Sequence, residues 1–304
     1  MSLVNPKIRF ATLNVKSAIT DDIKFIVSKY LHQQSLSLAF LTETKIRLPV
    51  KIPQNWGNGA SFVGIGVAKS VPQNIGGVGF VYREELIKLV PNTLQLESHR
   101  YCSAVFSPTA GGCAPFVALC VYAPTEHHPL KARESFFKSL SEYYGKLRAQ
   151  HPSLYIYLAG DFNTNFGLDA KSYSAADYVL SNAPELSSPN ARLVLDFCDH
   201  NKLVVANLKF RNSDRKLETW NHPGTGVGSV KDLLIVSRNC RKQLAKVTAL
   251  RRVGAFDHKA VLWSLLPSHR CFQPQTNTHP LTTLSTPQPN TRNPNASAAK
   301  PSKP

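Results

Sequence analysis

Seven polar residues in this chain stand where runs of apolar sequence begin or end. Ile8–Leu13 runs into Asn14, Leu38–Leu41 into Thr42-Glu43-Thr44, and Phe116–Val121 into Tyr122-Ala123-Pro124. Leu154–Ala159 runs into Gly160-Asp161-Phe162-Asn163, and Asp257-His258 precedes Ala260–Ser264. If these runs are strands that converge at one end of a sandwich, the polar groups line one cleft. The cleft would then hold the carboxylates of Glu43, Asp161 and Asp257, the carboxamides of Asn14 and Asn163, the Tyr122 phenol and the His258 imidazole. Oxygen-rich donor sets of this kind suit Mg²⁺ and lack the Cys/His content that zinc prefers. A hard cation beside His and Asp is equipment for phosphodiester hydrolysis. The cation neutralises the phosphate, a carboxylate orients or deprotonates water, and donors stabilise the pentacoordinate oxygens. Each group has a plainer explanation when taken singly. Glu43 can be a solvated rim charge, Asp161 and Asn163 can be turn residues, Tyr122 can be strand core, and His258 can be structural. The ordered set carries the chemical reading.

The elements that would position these groups follow from hydrophobic periodicity. Strands are expected over Ile8–Asn14, Leu38–Thr42, Gly77–Tyr82, Tyr101–Phe106, Phe116–Tyr122, Leu154–Ala159, Leu203–Ala206, Leu217–Trp220, Leu233–Val236 and Ala260–Ser264. Helices are fewer. Thr20 can cap a helix whose first turn carries Asp21 and Asp22 and whose apolar stripe is Ile23, Ile26, Val27, Tyr30 and Leu31. A second is expected from Leu130 to Ala149, with Phe136, Leu140, Tyr143 and Leu147 on one face, limited by Pro152. A third is expected from Ala191 to His200, with Val194, Phe197 and Cys198 inward. Many strands with few helices predict an α+β fold, two sheets packed face to face with helices outside.

Composition sets the bounds. The chain has 304 residues, of which 42% are hydrophobic, enough for a real core. Its longest apolar runs are too short to span a bilayer, so no membrane partner is expected. The N-terminus carries no secretory pattern. The six cysteines form no Cys-x-x-Cys pair, which points to a reducing compartment, the nucleus or cytoplasm. The net charge is +17, a field that attracts polyanions, of which nucleic acid is the commonest inside cells. Composition changes at Pro267: residues 267–304 contain eight of the 21 prolines and no acidic residue. The expected organisation is one folded domain over 1–266 and a disordered, basic Pro/Thr/Asn-rich tail over 267–304.

Together the motifs resemble the endonuclease/exonuclease/phosphatase superfamily, the DNase I-like proteins, over about Ile8 to Leu265. The matching segments are Ala11-Thr12-Leu13-Asn14, Leu41-Thr42-Glu43-Thr44-Lys45, Val121-Tyr122-Ala123-Pro124, Ala159-Gly160-Asp161-Phe162-Asn163, Ser229-Val230-Lys231-Asp232 and Asp257-His258. Gly76-Gly77-Val78-Gly79-Phe80 and Thr219-Trp220-Asn221-His222-Pro223 make the chain look most like the apurinic/apyrimidinic-type endonuclease domain of non-LTR retrotransposons. The resemblance implies a four-layer α/β sandwich of two mixed sheets, and a Mg²⁺-dependent endonuclease, with Mn²⁺ as a substitute ion, that nicks duplex DNA to leave a 3′-hydroxyl. By resemblance Glu43, with Asn14 and Asp257, is on the metal side. Asp161 positions or activates water. Asn163, Tyr122 and His258 face the phosphate, and Asp232 holds His258. Relatives of this kind carry a reverse transcriptase on a longer precursor. RNA or a small phosphoester is the alternative substrate, and a non-catalytic nucleic-acid-binding copy is the alternative function. This chain departs from the common pattern at Lys16, Thr125, Lys231 and Phe256.

Overall fold

A computed structural model of the protein describes residues 8–47, 49–67, 76–109, 114–253 and 256–266. The expected tail, 267–304, lies outside the described residues. In chain order the elements begin with β1 (Arg9–Asn14), α1 (Asp21–Gln33), β2 (Leu38–Thr42), β3 (Val50–Gly57), β4 (Ala60–Ile65), β5 (Val78–Arg83), β6 (Ile87–Leu89), β7 (Gln95–Ser98) and β8 (Tyr101–Pro108). They continue with β9 (Phe116–Tyr122), α2 (Leu130–Gln150), β10 (Tyr155–Asp161), α3 (Pro189–His200), β11 (Leu203–Val205) and α4 (Asp214–Leu217). The last are β12 (Trp220–Asn221), β13 (Gly228–Ser229), β14 (Asp232–Ser237), α5 (Arg238–Arg241), β15 (Leu244–Arg252) and β16 (Lys259–Leu265).

Two large sheets form. One runs β15-β16-β1-β2-β5-β4-β3; the other runs β11-β14-β10-β9-β8-β6, with β7 also on β8. Each is mixed: β1 and β2 are parallel, as are β9 and β10, while most other pairs are antiparallel. Side-chain alternation sorts the core into three layers. Phe10, Phe40, Phe80, Phe106, Phe116, Tyr157 and Trp263 meet between the sheets. Ala11, Leu13, Ala39 and Leu41 face outward onto Val27, Tyr30 and Leu31 of α1. Val117, Leu119, Ile156, Leu158, Leu233 and Ile235 face outward onto Leu140, Tyr143, Val194 and Phe197 of α2 and α3. The result is the four-layer α/β sandwich. Phe10 anchors its middle, with ring centroids 5.2 Å from Phe116, 5.6 Å from Tyr157 and 5.5 Å from Trp263. Aromatic pairs at such spacings add to the transfer term.

The expected strands and helices are present with one exception. Leu217–Trp220 is not a strand. Leu217 N donates to the Ser213 carbonyl and closes the α4 turn, and Thr219 is engaged by Lys231, Asp232 and Lys259, so only Trp220–Asn221 pairs, with β13. Thr20 precedes α1, but its side chain makes no capping hydrogen bond. α3 begins two residues earlier than periodicity predicts, because Ser188 caps it and Pro189 occupies the first turn.

Candidate active site

Register and parity place the polar residues. In β9, Phe116, Ala118 and Cys120 face the space between the sheets, so Tyr122 continues that row. In β10, Tyr157 and Ala159 face it, so Asp161 does; in β14, Leu234 and Val236 face it, so Asp232 does. Tyr122, Asp161 and Asp232 are direct partners across three adjacent strands. In the other sheet Asn14 continues the Phe10 row and pairs with Thr42, which immediately precedes Glu43. His258 enters at the antiparallel start of β16, beside β1. The chain therefore delivers its polar residues to one end of the slot between the sheets.

The hydrogen bonds join the two sheets. Asn14 Nδ2 donates to Glu43 Oε1 at 2.9 Å and to Asp161 Oδ2 at 3.0 Å. Asp161 Oδ1 accepts from Asn163 N at 2.9 Å, and Asn163 Nδ2 donates to the Ala123 carbonyl at 2.9 Å. His258 Nδ1 meets Asp232 Oδ2 at 2.7 Å. The Tyr122 hydroxyl is hydrogen bonded with Glu43, and the Arg100 guanidinium stands 5.4 Å from the Tyr122 ring centroid. Lys45 faces Glu43 at 3.6 Å, and Lys16 faces Asp257 at 2.9 Å. Asn14, Asp161, Asp232 and His258 are all buried. Asn14, Glu43, Tyr122, Asp161, Asn163, Asp232 and His258 are thus each tied to another predicted residue, whereas Asp257 pairs with Lys16, two residues after Asn14.

The backbone around the cleft is strained. Lys16, Glu43, Lys45 and Asn163 all have φ between +52° and +56°. Left-handed non-glycine residues of this kind cost about 1–2 kcal/mol each and concentrate at functional sites. Two glycine positions make the loops possible. A Cβ on Gly160 would fall 1.8 Å from the Val121 carbonyl oxygen, so only glycine lets Asp161 lie beside Tyr122. Gly77 has φ +89°, and a Cβ there would meet Thr44 Oγ1 at 2.4 Å. Its carbonyl accepts from Thr44 N at 3.0 Å, bracing the loop that presents Glu43.

Electrostatics divide the groups. Burial pulls the His258 imidazole down, but Asp232, Asp161 and Asp257 outweigh it and raise it to about 9, so the ring is cationic at neutral pH. Burial and the Asp232 carboxylate push Asp161 up, opposed by His258 and the donors from Asn163 and Asn14. Burial, then Glu43 and Asp161, push the Tyr122 phenol up, so it is a neutral donor.

Several supporting residues escaped the sequence reading. Asn190 Nδ2 donates to the Pro124 carbonyl at 2.8 Å and the Asn163 carbonyl at 3.2 Å, while its Oδ1 accepts from Arg133 Nη1 at 3.0 Å. Asn190 thereby ties the loop after Tyr122 to the loop after Asp161. Thr219 Oγ1 accepts from Lys231 N and Asp232 N, and the Thr219 carbonyl accepts from Lys259 N, fixing Asp232 against His258. Asn207 donates to the Asp232 carbonyl at 3.0 Å. The Thr219 segment carried a family likeness, but nothing in the sequence around Asn190, Arg133 or Asn207 signals a partner. Asn190→Ala is expected to destabilise the fold by about 2–4 kcal/mol, since it removes the acceptor of the buried Arg133 Nη1, although Arg133 Nε keeps the His128 carbonyl, and takes a donor from three carbonyls. Urea unfolding of the variant against the native chain measures this.

The pattern described as the Endonuclease/Exonuclease/phosphatase family matches residues 11–241, well over half of the chain. The chain belongs to that family. Membership places it among nucleases and phosphatases. Two curated relatives, both craniofacial development protein 2, match more locally. That of Tragulus javanicus is 28% identical over 110 residues, 35% of this chain and 18% of its own. That of Bos taurus is 26% identical over 146 residues, 47% of this chain and 23% of its own. The matched region therefore spans less than a quarter of either relative. Among solved structures, the AP endonuclease LMAP from Leishmania major has a TM-score of 0.63 at 17% identity, covering 86% of this chain and 89% of that one. The endonuclease domain of TRAS1, a telomere-specific non-LTR retrotransposon, has a TM-score of 0.56 at 10% identity, covering 88% and 100%. An AP endonuclease from Archaeoglobus fulgidus has a TM-score of 0.59 at 16% identity, covering 85% and 99%. The family fold, two mixed sheets in a DNase I-like sandwich, is the fold of this chain.

The residues present fit a divalent metal. Glu43, Asn14 and Asp257 offer only oxygen donors, the set a hard cation takes. Asp232 Oδ1 and Asp257 Oδ1 are buried acceptors without a hydrogen bond among the described residues. Asp161, Asp232 and His258 also offer ligand atoms within 4.8 Å of one another, so this trio too could hold an ion. There, however, a cation would have to displace the imidazolium proton, whereas Glu43 needs no such exchange.

Proposed function

We propose that this chain is a Mg²⁺-dependent endonuclease that nicks duplex DNA and leaves a 3′-hydroxyl. One observation carries the reading: Asn14 Nδ2 bonds Glu43 from one sheet and Asp161 from the other, with the His258–Asp232 pair in Coulomb reach of Asp161. An acid, a base and a metal carboxylate thus share one cleft. Glu43 and Asn14 would hold the ion, which supplies charge neutralisation at the phosphate when bound. Asp161, basic for a carboxylate and fixed through both oxygens, orients and deprotonates the attacking water. His258 donates from Nε2 to a phosphate oxygen, with Asp232 holding Nδ1. Asn163 has one amide N–H on Ala123 and a second for the phosphate. Tyr122 adds a phenol donor.

The +17 charge supports a polyanionic substrate over a small ester. The retrotransposon-like motifs and the TRAS1 likeness support target-site cleavage as its setting. The test is supercoiled plasmid with Mg²⁺, with EDTA, and at rising salt. The expected result is nicked circles whose ends a polymerase extends without phosphatase treatment. Rates should fall steeply with salt, as counterion release requires. Glu43→Gln should raise the Mg²⁺ concentration for half-maximal rate by about 10- to 100-fold. Phosphate release from small esters without plasmid nicking would favour the small-ester reading. DNA binding with neither activity would favour the non-catalytic one.

A further inference from the structure

We propose that His128 and Arg100 are positioning residues of this site, and that through them Thr125 gives a hydroxyl hydrogen bond to the substrate phosphate. The inference rests on the phosphodiester chemistry proposed above.

Thr125 stands three residues past Tyr122, where this chain departs from the common pattern. The loop that carries it is fixed from both sides. Asn163 Nδ2 donates to the Ala123 carbonyl at 2.9 Å, and Asn190 Nδ2 donates to the Pro124 carbonyl at 2.8 Å. His128 N donates to the Thr125 carbonyl at 3.1 Å and closes the turn that follows. Thr125 is therefore held half-buried, two residues beyond the carbonyl that Asn163 binds.

Three side chains then form a line. Arg100 Nη2 lies 3.3 Å from His128 Nε2, and His128 Nδ1 lies 3.1 Å from Thr125 Oγ1. A guanidinium has only donors, so Arg100 requires a lone pair on Nε2. That puts the ring proton on Nδ1, where it is donated to Thr125 Oγ1. The hydroxyl oxygen is thereby committed as an acceptor to the ring, and its own hydrogen turns away from it. Among the described residues that hydrogen has no acceptor. Without the arginine either tautomer would serve, and the hydroxyl would be as free to donate to a bare Nδ1. Arg100 is what makes Thr125 an outward donor.

Both ends of the line are anchored on Tyr122 or its loop. Arg100 Nη1 reaches the Tyr122 carbonyl at 3.5 Å, and the Arg100 carbonyl accepts from Tyr122 N at 2.7 Å. The guanidinium stands 5.4 Å from the Tyr122 ring centroid. At the other end the His128 carbonyl accepts from Nε of the buried Arg133 at 3.0 Å. The oriented hydroxyl thus stands beside Tyr122 and Asn163, the neutral donors of the proposed mechanism. A donor fixed before the substrate arrives costs no reorganisation when charge builds on the phosphate.

Steady-state nicking of supercoiled plasmid with Mg²⁺, on the full chain, decides this. Thr125→Val keeps the shape and removes the hydroxyl; it should lower kcat by about 10²-fold with KM within about 3-fold. Thr125→Ser restores the hydroxyl and should bring kcat back to within about 5-fold of native. His128→Gln, whose amide reaches Arg100 but not Thr125, should lower kcat by about 10-fold. His128→Asn, whose amide nitrogen falls near the Nδ1 position, should recover most of that loss. Because His128 acts through the hydroxyl, Thr125→Val/His128→Gln should be no slower than Thr125→Val alone. Thermal unfolding shows that each variant is folded, and Thr125→Ala carries the same comparison if Thr125→Val is not. A Thr125→Val kcat within about 3-fold of native, a serine that fails to recover, or additive losses in the double variant would overturn the proposal and leave the nuclease reading standing. A native chain that nicks no DNA removes that reading and this inference with it.

Discussion

Asp161→Asn is expected to lower the nicking rate by about 10³-fold, within the range for removing a positioned general base. The same change should leave the melting temperature equal or higher. Both outcomes come from the same surroundings. The carboxylate is buried beside Asp232, and burial with that like charge already opposes ionisation. A neutral amide of the same shape removes that repulsion, although one of the donors Asn14 Nδ2 and Asn163 N then faces an NH₂ in place of an oxygen. The two effects are each on the order of 1–2 kcal/mol and oppose one another. Sites that give up stability for reactivity behave this way. Plasmid-nicking rates and thermal unfolding, measured on the same preparations, check both halves. A variant that nicks within 10-fold of the native rate would take the proton-accepting role away from Asp161.

The second large effect concerns the His258–Asp232 pair. Asp232→Asn should cut the rate at pH 7.5 by about 10²-fold or more, the scale of one lost electrostatic or acid–base group. Its pH profile should also change shape. In the native chain His258 is raised to about 9, so a rate that needs the imidazolium persists through neutral pH and falls as the pH rises through about 9. Without the Asp232 carboxylate, the burial that opposes the charged ring is less well opposed, and the limb should move down toward the ordinary histidine value of 6.5. Stability should follow the same sign. A histidine whose folded pKa is raised contributes stability that is fully present below its unfolded value and is lost as the pH rises through the folded one. Native melting temperatures should therefore decline between about pH 6.5 and 9, and Asp232→Asn should flatten that decline. Equal rates for both proteins across pH 6–9 would make the pair structural and shift the phosphate contact to Asn163 or Tyr122.

Much of this site was legible in the sequence because β structure writes itself in a short code. A strand alternates with period two, so Phe10-x-Thr12-x-Asn14 and Tyr157-x-Ala159-x-Asp161 declare which face their last polar residue shares with the core. The apolar runs also end where the chain turns, so the strand ends and their polar residues could be named together. Edge strands escaped for the same reason. Val50–Gly57 carries a largely exposed, polar pattern with no alternation, and it pairs only because β4 offers it an edge.

What the sequence by itself determined was which residues are polar at strand ends, and in what order. Only the tertiary structure decided their partners. The in-register row of Tyr122, Asp161 and Asp232 depends on how β9, β10 and β14 slide against one another, and no local propensity sets that register. The bond from Asn14 to Asp161 crosses from one sheet to the other, at a distance set by the aromatic layer between them. Asn190 and Arg133 matter only because α2 and α3 pack together over the two loops. Lys16 reads in sequence only as a departure from the common family pattern, with no partner indicated. Its pairing with Asp257 exists because a left-handed turn, pinned by Asn14, directs it across the cleft to a residue from the far end of the chain. Residue type is a property of position in the chain, whereas charge compensation is a property of distance in space, and folding alone converts one into the other.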